Sequence, residues 1–255
     1  MKKSLVTGLF VGLQVLGLAG MSVYSTGCSS DNFTFAEESQ KNGLKLYSEG
    51  NYTESAAAFR NATRQQPKDY KSFYYLACCY DQLKQYQQAT SFYRSSLQAM
   101  PLTFGGQNSP KFRAKVMEGL ALSISRSGTS QLETTQLEQK VAATADPEDL
   151  LLLAKIYRYT GDPDAAVEAY SRLCLLSSKD FAVQKEFGLY LEQLAQNERA
   201  SVQLRKAFTL NTKDEQVNSA LGRLGVTIME APQGEPSVEV TRVPTEPSPV
   251  PAGIR

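Results

Sequence analysis

The sequence predicts an all-α chain, an α-solenoid of stacked antiparallel helix pairs with an N-terminal signal or anchor helix and a disordered proline-rich C-terminal tail. Three observations carry that expectation. Residue types recur at a fixed spacing of 34, so that Gly43, Phe59, Ala62 and Pro67 are answered by Ala77, Tyr93, Ser96 and Pro101, and Ser55 by Ala89. Apolar residues return every three or four positions within each period, as one face of a helix requires. Breakers, such as Gly50 with Asn51, Gly161 with Asp162, and the prolines, fall between those helical stretches. A helical hairpin of this length cannot bury its own apolar face, so successive hairpins must stack.

Taken in order, residues 1–27 read as an export signal or membrane anchor. Lys2 and Lys3 precede an apolar run over 5–23, and Ser25, Thr26 and Gly27 form a small-residue site before Cys28. Gly27 and Cys28 fit a bacterial lipobox, whereas Ser25 stands where an aliphatic residue is usual. Three outcomes stay open: lipidation at Cys28, plain secretion, or an uncleaved anchor, because the run approaches the ~20 residues that span a bilayer. Residues 28–35 are expected to be a polar tether.

The array is expected over 36–226. Its first hairpin covers 36–69 and turns at Glu49, Gly50 and Asn51; its second covers 70–103 and turns near Lys84 and Gln85. Gly105, Gly106, Asn108 and Pro110 then predict an inserted loop over 104–111. A degenerate third hairpin follows over 112–145, with Phe112, Val116, Leu120 and Ile124 on one helix face, Gly119 in the small-residue role, and a polar second helix. Register returns at Pro147. Leu150, Leu153, Ala154, Tyr157, Ala166 and Tyr170 fill a hairpin over 147–180; Phe187, Gly188, Leu191, Ala200, Leu204 and Ala207 repeat them over 181–214. Residues 215–226 read as a capping helix. The tail over 227–255 holds six of the eleven prolines and no helical period, which suits a spacer or a polyproline ligand.

With Phe73, Leu76, Ala77 and Tyr80 standing near the W, L, G and Y of its signature, the 34-residue pattern resembles the tetratricopeptide repeat, here of an exported bacterial lipoprotein type. The resemblance implies that the first helix of each hairpin lines a concave groove. The family's contact positions fall on Leu44, Tyr47, Tyr74, Cys78, Val116, Leu120, Lys155, Arg158, Tyr159, Lys185 and Leu189. Such a groove would be aromatic and aliphatic in its first half. Lys155, Arg158 and Lys185 would form a basic end suited to an extended or helical peptide with apolar anchors and an acidic group. The tyrosines have packing against neighbouring hairpins as their alternative role. The lysine and asparagine clamp of chaperone-tail receptors is not present, since Leu44 and Cys78 occupy positions where asparagine is wanted.

Composition narrows the function classes. The chain has no histidine, which removes Ser-His-Asp and Cys-His catalysis and histidine metal sites. Without residues 1–27 it carries 25 basic and 26 acidic residues, because that segment holds Lys2 and Lys3 and no acid; such a balance does not suit sequence-independent nucleic-acid binding. Cys78, Cys79 and Cys174 contain no CxxC pair and read as small buried residues. No cofactor, metal or small-molecule substrate is expected. The expected function is a non-enzymatic interaction scaffold on the periplasmic side of the bacterial envelope, membrane-anchored or an outer-membrane lipoprotein, that binds another envelope protein or peptide. A narrower alternative is an assembly lipoprotein resembling the pilotins of secretin or pilus machines. A cell-wall hydrolase would need paired carboxylates in a cleft, whereas Glu37, Glu38, Glu133, Glu138, Glu148, Asp149 and Glu192 are spread along helix faces.

Overall fold

The computed structural model describes residues 30–100 and 110–226, with side chains from Ala36 onward. The expected signal over 1–27 and tail over 227–255, and all but the end of the 104–111 loop, lie outside the described residues. Among the described residues the chain is entirely helical, and its helices fall in two compact units divided between Ser127 and Gly128.

The first unit holds α1 (Ser30–Ser48), α2 (Tyr52–Gln65), α3 (Tyr70–Gln82), α4 (Tyr86–Ala99) and α5 (Pro110–Arg126). Each helix packs on the next, and α3 also touches α1 and α5, so the first helices of successive hairpins form one layer. The second unit holds α6 (Ser130–Thr144), α7 (Pro147–Thr160), α8 (Pro163–Leu176), α9 (Phe181–Gln193), α10 (Asn197–Leu210) and α11 (Glu215–Arg223). There too each helix packs on the next, and α11 closes over both α9 and α10.

Two of these elements differ from the sequence expectation. Helix α1 begins at Ser30, so much of the expected 28–35 tether is helical. The expected 112–145 hairpin is divided between the units, α5 packing on α3 and α4 and α6 on α7. The reason lies in α6, which buries only Val141 and offers too little apolar surface to hold a second helix.

The hairpins close by one recurring device. Gly50, Lys84, Gly161 and Ala195 all adopt left-handed backbone, with φ of 81°, 58°, 81° and 55°. In each case the next N–H reaches back to the carbonyl five residues earlier: Asn51 to Leu46 at 2.9 Å, Gln85 to Tyr80 at 2.8 Å, Asp162 to Tyr157 at 3.0 Å and Gln196 to Leu191 at 3.0 Å. This is the helix C-terminal motif that glycine serves best. Lys84 and Ala195 hold the same shape with a Cβ, a backbone state that costs an L-residue about 1–2 kcal/mol. Glycine returns about 0.5–1 kcal/mol of that in unfolded-state entropy, so Ala195→Gly is expected to raise the urea midpoint by a net ~0.5–1 kcal/mol of stability at unchanged m. A lower midpoint would contradict the reading of this turn.

Helix starts use a second recurring device. Asp146, Asp180 and Asp214, each 34 residues apart, accept hydrogen bonds from the first-turn N–H groups of α7, α9 and α11. Asp69 does the same for α3, and Pro147 and Pro163 occupy the first turns of α7 and α8. Such caps satisfy donors that a helix start leaves open.

Between helices, small residues mark the close approaches. A Cβ on Gly43 would lie 2.9 Å from the Phe59 ring, on Gly119 2.5 Å from the Tyr93 ring, and on Gly188 2.7 Å from Leu204 Cγ. Ala77 and Ala154 are fully buried at the equivalent positions. Phe59, Leu76 and Leu120 anchor the first unit's core; Leu150, Tyr170, Leu173, Phe187 and Leu191 anchor the second's.

Candidate functional site

In the first unit a run of aromatic rings crosses the first helices α1, α3 and α5 and the start of α2. Tyr47 on α1 meets Tyr52 edge-on at 5.4 Å between centroids and Tyr75 at 6.2 Å. Tyr75 meets Tyr74 at 5.3 Å, Tyr74 meets Phe112 of α5 at 5.0 Å, and Phe112 meets Tyr70 at 5.3 Å. All six rings are half-buried, so each shows one side to solvent while its neighbours fix its orientation. Leu44, one turn before Tyr47 on α1, is exposed.

Beneath these rings lies a polar link between hairpins. Tyr93 of α4 donates to Asp81 Oδ2 of α3 at 2.7 Å, and Ser123 of α5 donates to Asp81 Oδ1 at 2.6 Å. Cys78 Sγ sits 3.4 Å from the Tyr93 hydroxyl. Burial pushes the Asp81 carboxyl above the usual carboxylate range, against the lowering effect of its Ser123 and Tyr93 hydrogen bonds. Burial likewise raises the Tyr74, Tyr93 and Cys78 groups, and raises Tyr47 to about 12. Tyr47 and Tyr74 therefore present neutral phenols at physiological pH. Cys79 and Cys174 are buried with thiols pushed up to about 11, as suits inert core cysteines.

Two of the expected groove residues are absent from this face. Val116 and Leu120 are buried, because α5 turns them into the core with Met117, Ala121 and Ile124. Their helical spacing is that of a packing stripe, and the stripe takes precedence over the repeat position in this degenerate hairpin. Cys78 and Tyr74 are half-buried, and their packing role is plain in the contacts with Tyr93.

The second unit overturns the expected basic end. Lys155 is only 3% exposed and is paired with Glu186 of α9, which also receives Arg158 at 3.4 Å and the Tyr170 hydroxyl at 2.6 Å. Arg158 further lies over the Tyr159 ring, 4.9 Å from its centroid, and donates to its hydroxyl at 2.9 Å. Lys185 bridges to Asp214, the cap of α11, at 2.8 Å. Leu189 is half-buried and packs into the cluster formed by Leu204, Ala207, Val217 and Leu221. The physical reason is local neutralisation: a cation placed at the meeting of two hairpins in a poorly solvated position needs a counter-charge, and α9 and the α11 cap supply it.

Glu186 and the aspartate caps are the residues that sequence reading missed. The recurrence of aspartate at 146, 180 and 214 was the available signal for the caps. Glu186 had none, because its role depends on Lys155, which lies 31 residues earlier.

The Lys185–Asp214 pair makes a pH prediction. Burial opposes ionisation of Asp214, but the hydrogen bonds from Lys185 and the Val217 N–H outweigh it, and its pKa lies below the usual value. A carboxyl depressed in the folded state contributes stability above its unfolded pKa and loses it as pH falls through the folded one. The stability difference between the wild type and Asp214→Asn is therefore expected at neutral pH and to shrink below about pH 4. Urea titrations at both pH values check it; a difference that grew on acidification would reverse the sign.

Among the described residues no helix is long and apolar enough to cross a membrane, and no group of three or more cysteine, aspartate or glutamate side chains is placed to hold a metal ion.

Two family models, both of the tetratricopeptide repeat, match the chain, at residues 41–101 and 150–180. No curated protein matches. Among solved structures the chain is similar to a thermophilic repeat protein of the same kind from Thermus thermophilus, at 16% identity over 75% of this chain and 100% of that one, with a TM-score of 0.45. YrrB, described as having an unusual peptide-binding site, is 16% identical over 75% of this chain and 94% of its own, with a TM-score of 0.37. Pseudomonas aeruginosa pilF is 15% identical over 76% of this chain and 85% of its own, with a TM-score of 0.40.

Proposed function

This chain is a tetratricopeptide-repeat protein, and on that premise we propose that it is a non-enzymatic scaffold of the bacterial cell envelope that holds a partner through the aromatic face of its first unit. The observation that carries the proposal is the half-exposed ring run Tyr52, Tyr47, Tyr75, Tyr74, Phe112 and Tyr70, flanked by exposed Leu44. Rings fixed by their neighbours offer large contact area at little entropic cost, which is the usual character of a binding hot spot. The occupant is an extended or helical segment of another envelope protein with apolar anchors. Because Glu186 and Asp214 neutralise the cations of the second unit, an acidic group on that segment is not required. The signal-like residues 1–27 with Cys28 support membrane attachment from the periplasmic side, by lipid or by anchor.

Two measurements test this reading. Mass spectrometry of the purified protein distinguishes an acylated Cys28 start from an unmodified one and from a Met1 start. Affinity capture from detergent-solubilised envelope is expected to retain a stoichiometric partner with the wild type and to lose most of it with Leu44→Asp or Tyr47→Ala. Full retention by both variants would move the partner off this face.

A further inference from the structure

The second helices of the second unit carry a face that the groove does not use. Leu175 on α8 is 82% exposed, with Leu176 at 53%; Val202 and Leu210 on α10 are 53% and 41% exposed. Isolated exposed leucines are ordinary, but these four recur with a pattern of cations. Arg172 and Lys206, Leu176 and Leu210, and Lys179 and Lys213 are each 34 residues apart, so successive hairpins present the same cation, leucine and lysine sequence. Arg205 adds a fifth exposed cation. Positions 172, 175 and 176 on α8, and 202, 206 and 210 on α10, are spaced to share one side of their helix. Lys179 and Lys213 follow just past the two helix ends.

Helices α8 and α10 both pack on α9, so the two stripes belong to successive hairpins of one unit. The two aspartates beside the lysines do not neutralise the face, for their carboxylates are engaged elsewhere. Asp180 accepts from the N–H groups of Ala182 and Val183, and Asp214 from the Val217 N–H and from Lys185. Glu168 on α8, one turn before Arg172, and Glu198 on α10, one turn before Val202, are exposed acids at the helix-start side of the stripes, away from the leucines and lysines at the helix ends.

We infer that this face of the second unit docks on an anionic lipid surface, with Leu175, Leu176 and Leu210 entering the headgroup boundary and Arg172, Lys179, Lys206 and Lys213 meeting lipid phosphates. Exposed leucines flanked along the chain by exposed lysine and arginine are what an interfacial contact needs: the hydrocarbon supplies depth and the anionic headgroups supply the counter-charge. A soluble acidic partner would satisfy the cations and leave Leu175 in water. The inference stands apart from the groove, since it uses none of the first unit's residues.

The chain has no tryptophan, so one placed at Leu175 reports this face alone, whatever residues 1–27 do. The full chain carrying Leu175→Trp is mixed with vesicles of phosphatidylcholine and phosphatidylglycerol, or of phosphatidylcholine alone. A blue shift with anionic vesicles only, quenched by brominated acyl chains and weakened by salt, is expected. Reversing Arg172, Lys179, Lys206 and Lys213 to Glu in that chain should weaken the apparent affinity by at least about a thousandfold, and the milder pair Lys179→Gln with Lys213→Gln should weaken it less while leaving the circular dichroism unchanged. Leu132→Trp, at an exposed site on α6, should stay unshifted in the same vesicles. The inference is overturned if Leu175→Trp does not shift, if it shifts equally on both lipids, if Leu132→Trp shifts as much, or if poly-glutamate produces the same shift, which would assign the face to an acidic protein.

Discussion

Lys155→Glu is expected to destabilise the protein by about 3–5 kcal/mol, the range seen when one partner of a buried ion pair is lost and its counter-charge is stranded. Lys155 is 3% exposed and faces the half-buried Glu186, so reversal places a carboxylate almost wholly out of water against a second one. Arg158 and the Tyr170 hydroxyl, both bonded to Glu186, would each be left serving a crowded anionic site. Lys155→Met separates charge from packing: it keeps the aliphatic stem and leaves Glu186 with two of its donors, so a loss of about 1–3 kcal/mol is expected. Urea denaturation followed by circular dichroism measures both. If Lys155→Glu stayed within about 0.5 kcal/mol of the wild type, as an exposed substitution would, Lys155 would be a solvated groove residue after all.

That experiment also marks where the sequence stopped being informative. The fold was legible because it rests on one-dimensional signals. The 34-residue recurrence named the hairpins, and Gly43, Ala77, Ala154 and Gly188 named the crossings, because contact between neighbouring helices demands small residues at fixed intervals. The turn at Lys84 was legible from register although no glycine marks it. The site was legible only in part. Repeat position predicts which way a side chain starts, not what it meets. Lys155 and Arg158 start toward the first-helix face and are taken up by Glu186, a residue whose identity no periodicity fixes. Val116 and Leu120 fall at expected groove positions of α5, but α5 packs on α3 and α4 and turns them into the core with Met117, Ala121 and Ile124. The aromatic half was more readable, since Tyr47 and Tyr74 stay half-buried on first helices, each held by neighbouring rings.

The first unit offers the companion test, in which size rather than charge is exchanged. Phe59 is 1% exposed, stacks on Tyr75 at 5.4 Å, and its ring occupies the space a side chain on Gly43 would need. Phe59→Ala is expected to cost about 3–5 kcal/mol, from lost transfer free energy and the cavity left between α1 and α2. Gly43→Ala in the wild type is expected to cost about 1–3 kcal/mol, because its Cβ would come within 2.9 Å of the ring and the ring is held on its other side by Tyr75. In the Phe59→Leu background the clash is relieved, so adding Gly43→Ala should cost less there, and the double-mutant cycle should show a favourable coupling above about 0.5 kcal/mol. Alanine also removes glycine's helix penalty of about 1 kcal/mol, which pushes the double variant further toward neutrality. Additive costs would mean that Phe59 is free to move aside, and the small residue at position 43 would then need another explanation than the closeness of α1 to α2.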